Sequence, residues 1–205
     1  MKVKVCGITN IEDALIAESC GANAIGFIFY RNSKRYITPS AASEIINSLS
    51  PFTVKVGVFV DAALDEVNRI AAEIKLNAVQ LHGNETPEYT GGINYPVIKG
   101  FRVKDKFNFS IIEQYGNIPV LLDAFSPSAY GGTGISFDWN IIPEGIRNRI
   151  ILAGGVSINN IAHIMEFIKP AAIDISSSLE IDDKSLPLRK DKQKILNFFN
   201  KIHTR

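Results

Sequence analysis

A thiol and a carboxylate stand near the ends of two apolar runs in this sequence. Cys6 closes the run "KVKVC", and Asp123 lies near the end of "PVLLDA". A cysteine thiol has a pKa near ~8.5, which a cationic or helix-terminal setting lowers, and its thiolate can then take a proton from carbon. A carboxylic acid can donate a proton to oxygen. The two residue types therefore indicate proton-transfer chemistry, provided that the fold brings the two runs together.

Other polar side chains follow apolar runs in the same way. Gln80 and His82 end the run "AVQLHG", and Arg35 lies in "NSKRYITP", after an earlier run. Each candidate also has a simpler structural interpretation. A cysteine in an apolar strand is commonly a small core residue, and an aspartate after a strand commonly serves a turn. What favours function is that several independent candidates fall at the same end of the predicted strands.

Eight apolar, β-branched runs are the predicted strands, and they recur at intervals of about 18 to 30 residues, the size of one βα unit. They cover residues 2–7, 24–30, 55–60, 78–83, 96–101, 119–124, 149–155 and 172–177. Nearly continuous apolar runs are typical of parallel strands that are buried on both faces. The pattern predicts an α/β fold with one domain over residues 1–205, a closed (β/α)8 TIM barrel. An open doubly wound sheet is the alternative, but the first strand lacks a following GxGxxG.

Helix-start signals follow most of the predicted strands. Asn10 precedes "IEDALIAESC", Thr38 precedes a proline and "SAASEIINSL", and Ser157 precedes "INNIAHIMEFI". Each of these three side chains can accept a hydrogen bond from the first turn of a helix. The fifth unit, "RVKDKFNFSIIEQYG", predicts only a short helix, and the final helix is predicted within "KDKQKILNFFNKI".

Glycine- and serine-rich segments follow the last three predicted strands. They contain Gly132, Thr133 and Gly134, then Gly154 and Gly155, then Ser176, Ser177 and Ser178. Glycine lets backbone N–H groups approach an anion closely, and a helix N-terminus adds partial positive charge. In barrels of this kind, phosphate commonly binds at the loops after strands 7 and 8. The sequence therefore predicts a phosphorylated small-molecule substrate.

Composition limits the classes of partner and compartment. Lysine and arginine number 22 against 21 acidic residues, so no overall basic field favours nucleic acid. No apolar run approaches the roughly 20 residues that cross a bilayer. Cys6 and Cys20 form neither a disulfide framework nor a zinc pattern. We expect a cytoplasmic protein without a signal peptide, and the scattered histidines and carboxylates predict no metal and no other cofactor.

The sequence also resembles the phosphoribosylanthranilate isomerase family of tryptophan biosynthesis, essentially from end to end. The combination of "KVCGITN", "VQLHGNE" and "GGTGISFDW" is highly specific for that family. The other matching segments are "GFIFY" at 26–30, "SKRYITP" at 33–39, "VGVFV" at 56–60, "LLDAF" at 121–125, "ILAGGV" at 151–156 and "DISSSLE" at 174–180.

The resemblance implies an Amadori rearrangement of N-(5-phosphoribosyl)anthranilate to 1-(2-carboxyphenylamino)-1-deoxyribulose 5-phosphate. Asp123 would be the general acid at the furanose ring oxygen, Cys6 the general base at C2, and Arg35 the partner of the anthranilate carboxylate. The remaining matched positions would contact the substrate; they are Gln80, His82, Gly132, Thr133, Gly134, Gly154, Gly155, Ser176, Ser177 and Ser178. No cofactor is implied, and the assembly would be a monomer or a homodimer.

Ser178 departs from the family pattern, which usually has glycine at this position. If the position requires a positive φ, serine adds strain of about 1 kcal/mol; alternatively, its hydroxyl could donate to phosphate.

Three other functions remain open from the residues alone. A histidine-pathway isomerase would perform the same rearrangement, but typically with an aspartate where this chain has Cys6. A noncatalytic phosphosugar-binding barrel would not need the thiol and the acid. A nucleophilic cysteine hydrolase would need a histidine oriented toward the thiol.

Overall fold

Eight parallel strands pair in sequence order, and the last pairs back onto the first to close a barrel. The computed structural model describes residues 1–104, 106–124, 137–183 and 188–204. The strands are β1 (Lys2–Cys6), β2 (Ala24–Ile28), β3 (Val54–Phe59), β4 (Ala78–Leu81), β5 (Val97–Val103), β6 (Val120–Ala124), β7 (Ile150–Leu152) and β8 (Ala172–Ile175). Each lies within or overlaps a predicted run, so the predicted (β/α)8 class is confirmed.

Helices connect the strands on the outside of the barrel. The α-helices are α1 (Ile11–Ser19), α2 (Pro39–Ser48), α3 (Leu64–Glu73), α4 (Pro87–Gly91), α5 (Glu144–Arg147), α6 (Ile161–His163) and α7 (Lys192–His203). Two predicted N-caps are confirmed, because Asn10 accepts from the Asp13 N–H at 2.9 Å and Thr38 accepts from the Ala41 N–H at 3.3 Å. Among the described residues, no helix is both long and apolar enough to cross a membrane.

The connections after β5 and β7 depart from regular α-helix. After β5 the chain forms a 3-10 helix, Phe109–Tyr115, which confirms the prediction of a short fifth helix. The predicted helix start at Ser157 is wrong, because α6 begins at Ile161 and continues as a π-helical turn, Ile164–Ile168. The Asn160 side chain causes this delay: it accepts from the Ser157 N–H and donates to the Gly155 carbonyl, both at 2.8 Å. These bonds hold 157–160 in a turn. Short 3-10 helices also span Trp139–Ile141 and Ser177–Leu179.

Side-chain alternation along the strands gives the barrel two distinct environments. Val3 and Val5 of β1 belong to the apolar core between the strands and the helices. Because successive side chains of a strand point to opposite faces, Lys4 and Cys6 face the barrel interior. The same alternation turns Gln80 inward from β4 and Asp123 inward from β6. The interior therefore carries ionisable groups toward the carboxyl ends of its strands.

A buried ion pair fixes the loop that follows β4. Lys99 donates to Glu85 at 2.7 Å and to the Gly83 carbonyl at 2.8 Å, and both side chains of the pair are 2% exposed. Glu85 also accepts from the Gly83 N–H at 2.9 Å. The Tyr115 hydroxyl donates to the Glu85 carbonyl at 2.8 Å. These bonds set the direction in which the chain leaves His82.

We expect Glu85→Gln to destabilise the protein strongly, because it leaves the Lys99 ammonium buried without its counter-ion. Breaking one side of a buried pair costs about 3–5 kcal/mol, and urea unfolding followed by circular dichroism would measure it. The control is Glu73→Gln, which breaks the exposed pair between Arg69 and Glu73 and should cost less than about 0.5 kcal/mol. Equal losses in the two variants would contradict a structural role for the buried pair.

Candidate active site

Cys6 ends β1 beside an ion pair that joins β1 to β8. Lys4 and Asp174 are direct partners in the register of the two strands, and their side chains meet at 2.9 Å. Lys4 is 5% exposed and Cys6 is 6% exposed. Gly26 of β2 faces both, since a Cβ there would lie 2.7 Å from the Cys6 Sγ and 3.0 Å from the Lys4 Cε. The thiol and the lysine stem therefore converge in the space left by a glycine.

The ionisation of this cluster is a balance between burial and charge. Burial raises the pKa of the Cys6 thiol, Lys4 acts in the opposite direction through its charge and a hydrogen bond, and Asp174 adds to the rise. Burial alone would lower the pKa of Lys4, but the neighbouring Asp174 carboxylate and Cys6 thiolate outweigh it and raise that pKa. Lys4 is therefore a cation throughout the physiological range.

Asp123 forms the second half of the candidate site, together with Gln80 and His82. The Gln80 amide nitrogen lies 2.9 Å from His82 Nδ1, and His82 Nε2 lies 3.3 Å from Asp123 Oδ2. All three side chains are buried. Asp123 Oδ1 accepts from the Ala124 N–H at 2.8 Å, which fixes the carboxyl group. Burial raises the pKa of Asp174, and the charge of Asp123 adds to that rise, so the two halves of the site influence each other electrostatically.

Arg35 lies in the loop after β2 and is held by a carboxylate from the opposite end of the chain. Its Nε and Nη2 donate to the two Glu180 oxygens at 2.5 and 2.9 Å. Its stem lies across Gly7, where φ is +73° and a Cβ would collide with the Arg35 Cδ. Arg35 is buried rather than solvated, although it lies in a loop.

Lys190 connects Glu180 to Ser176, which in turn contacts the backbone of Cys6. Its ammonium donates to Glu180 at 3.2 Å and to the Ser176 carbonyl at 3.1 Å. The Ser176 hydroxyl in turn donates to the Cys6 carbonyl at 2.9 Å. Burial lowers the pKa of Lys190 and Arg35 adds to that effect, whereas Glu180 opposes it. Burial would raise the pKa of Glu180, but hydrogen bonds from Arg35 and the charge of Lys190 lower it.

The candidate phosphate loops after β7 and β8 contact each other. Gly154 and Gly155 have φ values of +74° and +77°, which glycine adopts without strain. A Cβ on Gly154 would lie 2.9 Å from Asp123 Oδ1, so this loop packs against the acid. Ser178 lies in the 3-10 helix Ser177–Leu179 without a positive φ, so the anticipated strain is absent. Its hydroxyl donates to the Val156 carbonyl at 2.6 Å and thereby joins the two loops.

The structure brings most of the predicted residues to the carboxyl ends of the strands. Gly132, Thr133 and Gly134 lie outside the described residues. Four further residues surround the predicted ones and were missed by sequence reasoning; they are Lys4, Asp174, Glu180 and Lys190. One signal could have found two of them: a charged residue inside an apolar strand is costly unless paired. Lys4 in "KVKVC" and Asp174 in "AIDIS" are such residues.

The chain matches the family model of N-(5'-phosphoribosyl)anthranilate (PRA) isomerase over residues 3–201. A relative from Geobacter sp., named N-(5'-phosphoribosyl)anthranilate isomerase, is 46% identical over 96% of this chain and 95% of its own length.

Two solved structures of phosphoribosyl anthranilate isomerases superpose over the full length of both chains. One holds reduced 1-(o-carboxyphenylamino)-1-deoxyribulose 5-phosphate and has a TM-score of 0.83 with 36% identity. The other, from Thermotoga maritima, is a monomer generated from a dimeric isomerase and has a TM-score of 0.86 with 34% identity. With the match to the family model, this similarity of sequence and fold places the chain in the N-(5'-phosphoribosyl)anthranilate isomerase family.

Proposed function

We propose that Cys6 is the general base and Asp123 the general acid with which this chain, a phosphoribosylanthranilate isomerase of tryptophan biosynthesis, rearranges its substrate. The observation that carries the proposal is the placement of the thiol and the carboxyl group at the ends of β1 and β6, both facing the same interior. Lys4 lies beside the thiol, and His82 lies beside the carboxyl group. Each group therefore has a partner that can stabilise its charge.

The chemistry requires one proton to be given and one to be taken. Asp123 donates a proton to the furanose ring oxygen as the bond from that oxygen to C1 breaks, and the nitrogen lone pair forms the Schiff base. Cys6 then removes the C2 proton, and those electrons form the C1–C2 double bond of the enolamine. Tautomerisation gives the ketone at C2. The two groups act at different atoms of one substrate, which fits their positions on separate strands.

Arg35 and the loops after β7 and β8 would hold the two anionic ends of the substrate. A guanidinium carries five N–H donors in a planar fork, and the Glu180 pair uses two of them while fixing the plane. We infer that Arg35 binds the anthranilate carboxylate. Phosphate would bind at the paired loops that contain Gly154, Gly155 and Ser176–Ser178. Gln80 and His82 would line the substrate pocket next to Asp123.

The rival functions lack support in this arrangement. Neither a histidine-pathway isomerase nor a noncatalytic phosphosugar-binding barrel requires a buried thiol beside an ion pair, as Cys6 is. A cysteine hydrolase needs an imidazole paired with its thiol, whereas His82 contacts Asp123.

We also infer a cytoplasmic location and a monomeric or homodimeric assembly. Both Cys6 and Cys20 are free thiols, which fits a reducing compartment. The related isomerase from Thermotoga maritima is dimeric.

Cys6→Ala should nearly abolish turnover, because no other group would remove the C2 proton. Cys6→Ser should be almost as poor, since a hydroxyl is a much weaker base. In the parent, kcat/KM should fall as the pH is lowered, and burial should place the midpoint of that fall above the pKa of an exposed thiol. The assay is the loss of anthranilate-substrate fluorescence, with circular dichroism to confirm folding. A near-normal kcat in Cys6→Ala would rule out the proposed base.

Asp123→Asn should lose most of kcat with little change in fold, because an amide cannot donate an acidic proton to the ring oxygen. The parent pH profile should have two limbs, from a base that must be deprotonated and an acid that must be protonated. The two apparent pKa values of the parent profile belong to the coupled site rather than to single residues. A kcat within a few-fold of the parent would remove Asp123 as the acid.

Arg35→Met should lower kcat/KM tenfold or more, because a charge-assisted pair with the substrate carboxylate is worth about 1.5–3 kcal/mol. The affinity for inorganic phosphate should stay unchanged, and Arg35→Lys should recover only part of the loss. Glu180→Gln keeps Arg35 but weakens its anchor, so it should raise KM less than Arg35→Met does. If Arg35→Met turns over the substrate as well as the parent, then the carboxylate binds elsewhere.

A further inference from the structure

The ion pair between Lys4 and Asp174 lies beside Cys6. Lys4 is two residues before Cys6 on β1, so both side chains face the barrel interior on the same side of the strand. The Lys4 ammonium donates to Asp174 at 2.9 Å, and its stem lies beside the thiol, since a Cβ on Gly26 would lie 3.0 Å from the Lys4 Cε and 2.7 Å from the Cys6 Sγ. The ion pair between β1 and β8, the two strands that close the barrel, therefore lies next to the thiol.

A thiolate in this position needs a cation. Burial without a partner strongly disfavours the charged form of an ionisable group. Cys6 is 6% exposed, so water alone does not solvate its sulfur as a thiolate. The Lys4 ammonium beside the thiol supplies the compensating charge, and the Asp174 carboxylate that it contacts keeps that ammonium protonated.

We propose that Lys4 is a positioning residue whose ammonium partly offsets the cost of burying the Cys6 thiolate, and that Asp174 moderates this effect by sharing the ammonium. The proposal rests on Cys6 being the base of the proposed function. It assigns the two partners opposite effects on the thiol: loss of the Lys4 cation disfavours the thiolate, and loss of the Asp174 carboxylate favours it.

The other charged groups near the thiol do not replace Lys4. Lys190, from the segment after β8, acts on the Cys6 pKa less than Lys4 and Asp174 do, and its ammonium is already bonded to Glu180 and Ser176. Arg35 crosses Gly7, but its guanidinium is paired with Glu180. On β2 the residue facing the thiol is Gly26, which has no side chain. Asp123 and His82 act on Asp174 from β6 and the end of β4.

The test is the rate of Cys6 alkylation by iodoacetamide as a function of pH, in a Cys20→Ala background so that one thiol reacts. Only the thiolate reacts, so the midpoint of the profile reports its ionisation and the plateau reports access. Lys4→Met should move the midpoint upward by about one pH unit or more, as removal of an adjacent opposite charge does. The rate well below the midpoint should fall about tenfold. Asp174→Asn should move the midpoint downward.

The matched control is Lys55→Met. Lys55 is also a buried strand lysine, but its ammonium donates to the Ser50 carbonyl at 2.7 Å near the opposite end of the barrel. Its removal should leave the midpoint where it is. If Lys4→Met does not fold because Asp174 is left unpaired, Lys4→Met/Asp174→Asn removes both charges, and its midpoint should still lie above that of the parent.

An unchanged midpoint in Lys4→Met or in the double variant would overturn the proposal, and so would shifts of the same sign in Lys4→Met and Asp174→Asn. If the pair served only to close the barrel, the two substitutions would lower the stability of the fold, but they would not move the two alkylation midpoints in opposite directions. Alkylation needs no turnover, so the result stands apart from the assignment of the base. If Cys6 is also the base, the low-pH limb of kcat/KM should move upward in Lys4→Met, with kcat lowered and KM little changed.

Discussion

The ion pair between Lys4 and Asp174 lies where the barrel closes, and the site depends on it in two ways. The pair is costly to bury, and only mutual contact offsets that cost. It therefore favours the register in which Lys4 faces Asp174, which is the register that pairs β8 with β1. The same register places Cys6 at the end of its strand, one layer above the pair and beside Gly26. The contact between Lys4 and Asp174 therefore links the register of the two closing strands to the position of the thiol.

The segment that follows β8 supplies a second set of charged residues to the site. Glu180 binds Arg35 from the loop after β2, and Lys190 joins Glu180 to Ser176. The backbone N–H of Lys190 donates to Asp13 of α1 at 2.7 Å. These contacts connect the first and last units of the barrel. A guanidinium held in this way has little rotamer freedom left to lose on binding. If Arg35 binds the substrate carboxylate, as proposed, Glu180 would therefore contribute to affinity without touching the substrate.

The sequence predicted the barrel well because its eight strands are local patterns. Cys6 and Asp123 were also predictable, since strand ends share one face of a barrel and reactive residue types stand out there. Lys4 and Asp174 carried a local signal, a charge inside an apolar strand, but not the identity of the partner, which lies 170 positions away. Glu180 and Lys190 carried no local signal, because the contact of Glu180 with Arg35 spans 145 positions and Lys190 belongs to the same network. The error at Ser157 has a local cause, since an asparagine three residues later binds the same backbone. Ser178 was expected to add strain or to bind phosphate. Its hydroxyl instead donates to the Val156 carbonyl, a loop contact that only the folded chain creates.

In the proposed mechanism Asp123 alternates between a carboxylic acid and a carboxylate, and His82 Nε2 lies 3.3 Å from its Oδ2. Nε2 makes no hydrogen bond to the described residues. A neutral imidazole that closes the remaining gap would donate to the carboxylate through Nε2–H, or accept from the acid with its own proton on Nδ1. The partner of Nδ1 then has to be an acceptor in one state and a donor in the other. The Gln80 amide carries both kinds of atom: its nitrogen lies 2.9 Å from Nδ1, and its oxygen is buried without a hydrogen-bond partner among the described residues. A lysine or a carboxylate there would favour one tautomer and hence one state of the acid. If Cys6 is the base, as proposed, its partner would need no such alternation, because a lysine ammonium can stabilise the thiolate and remain protonated when the thiol forms.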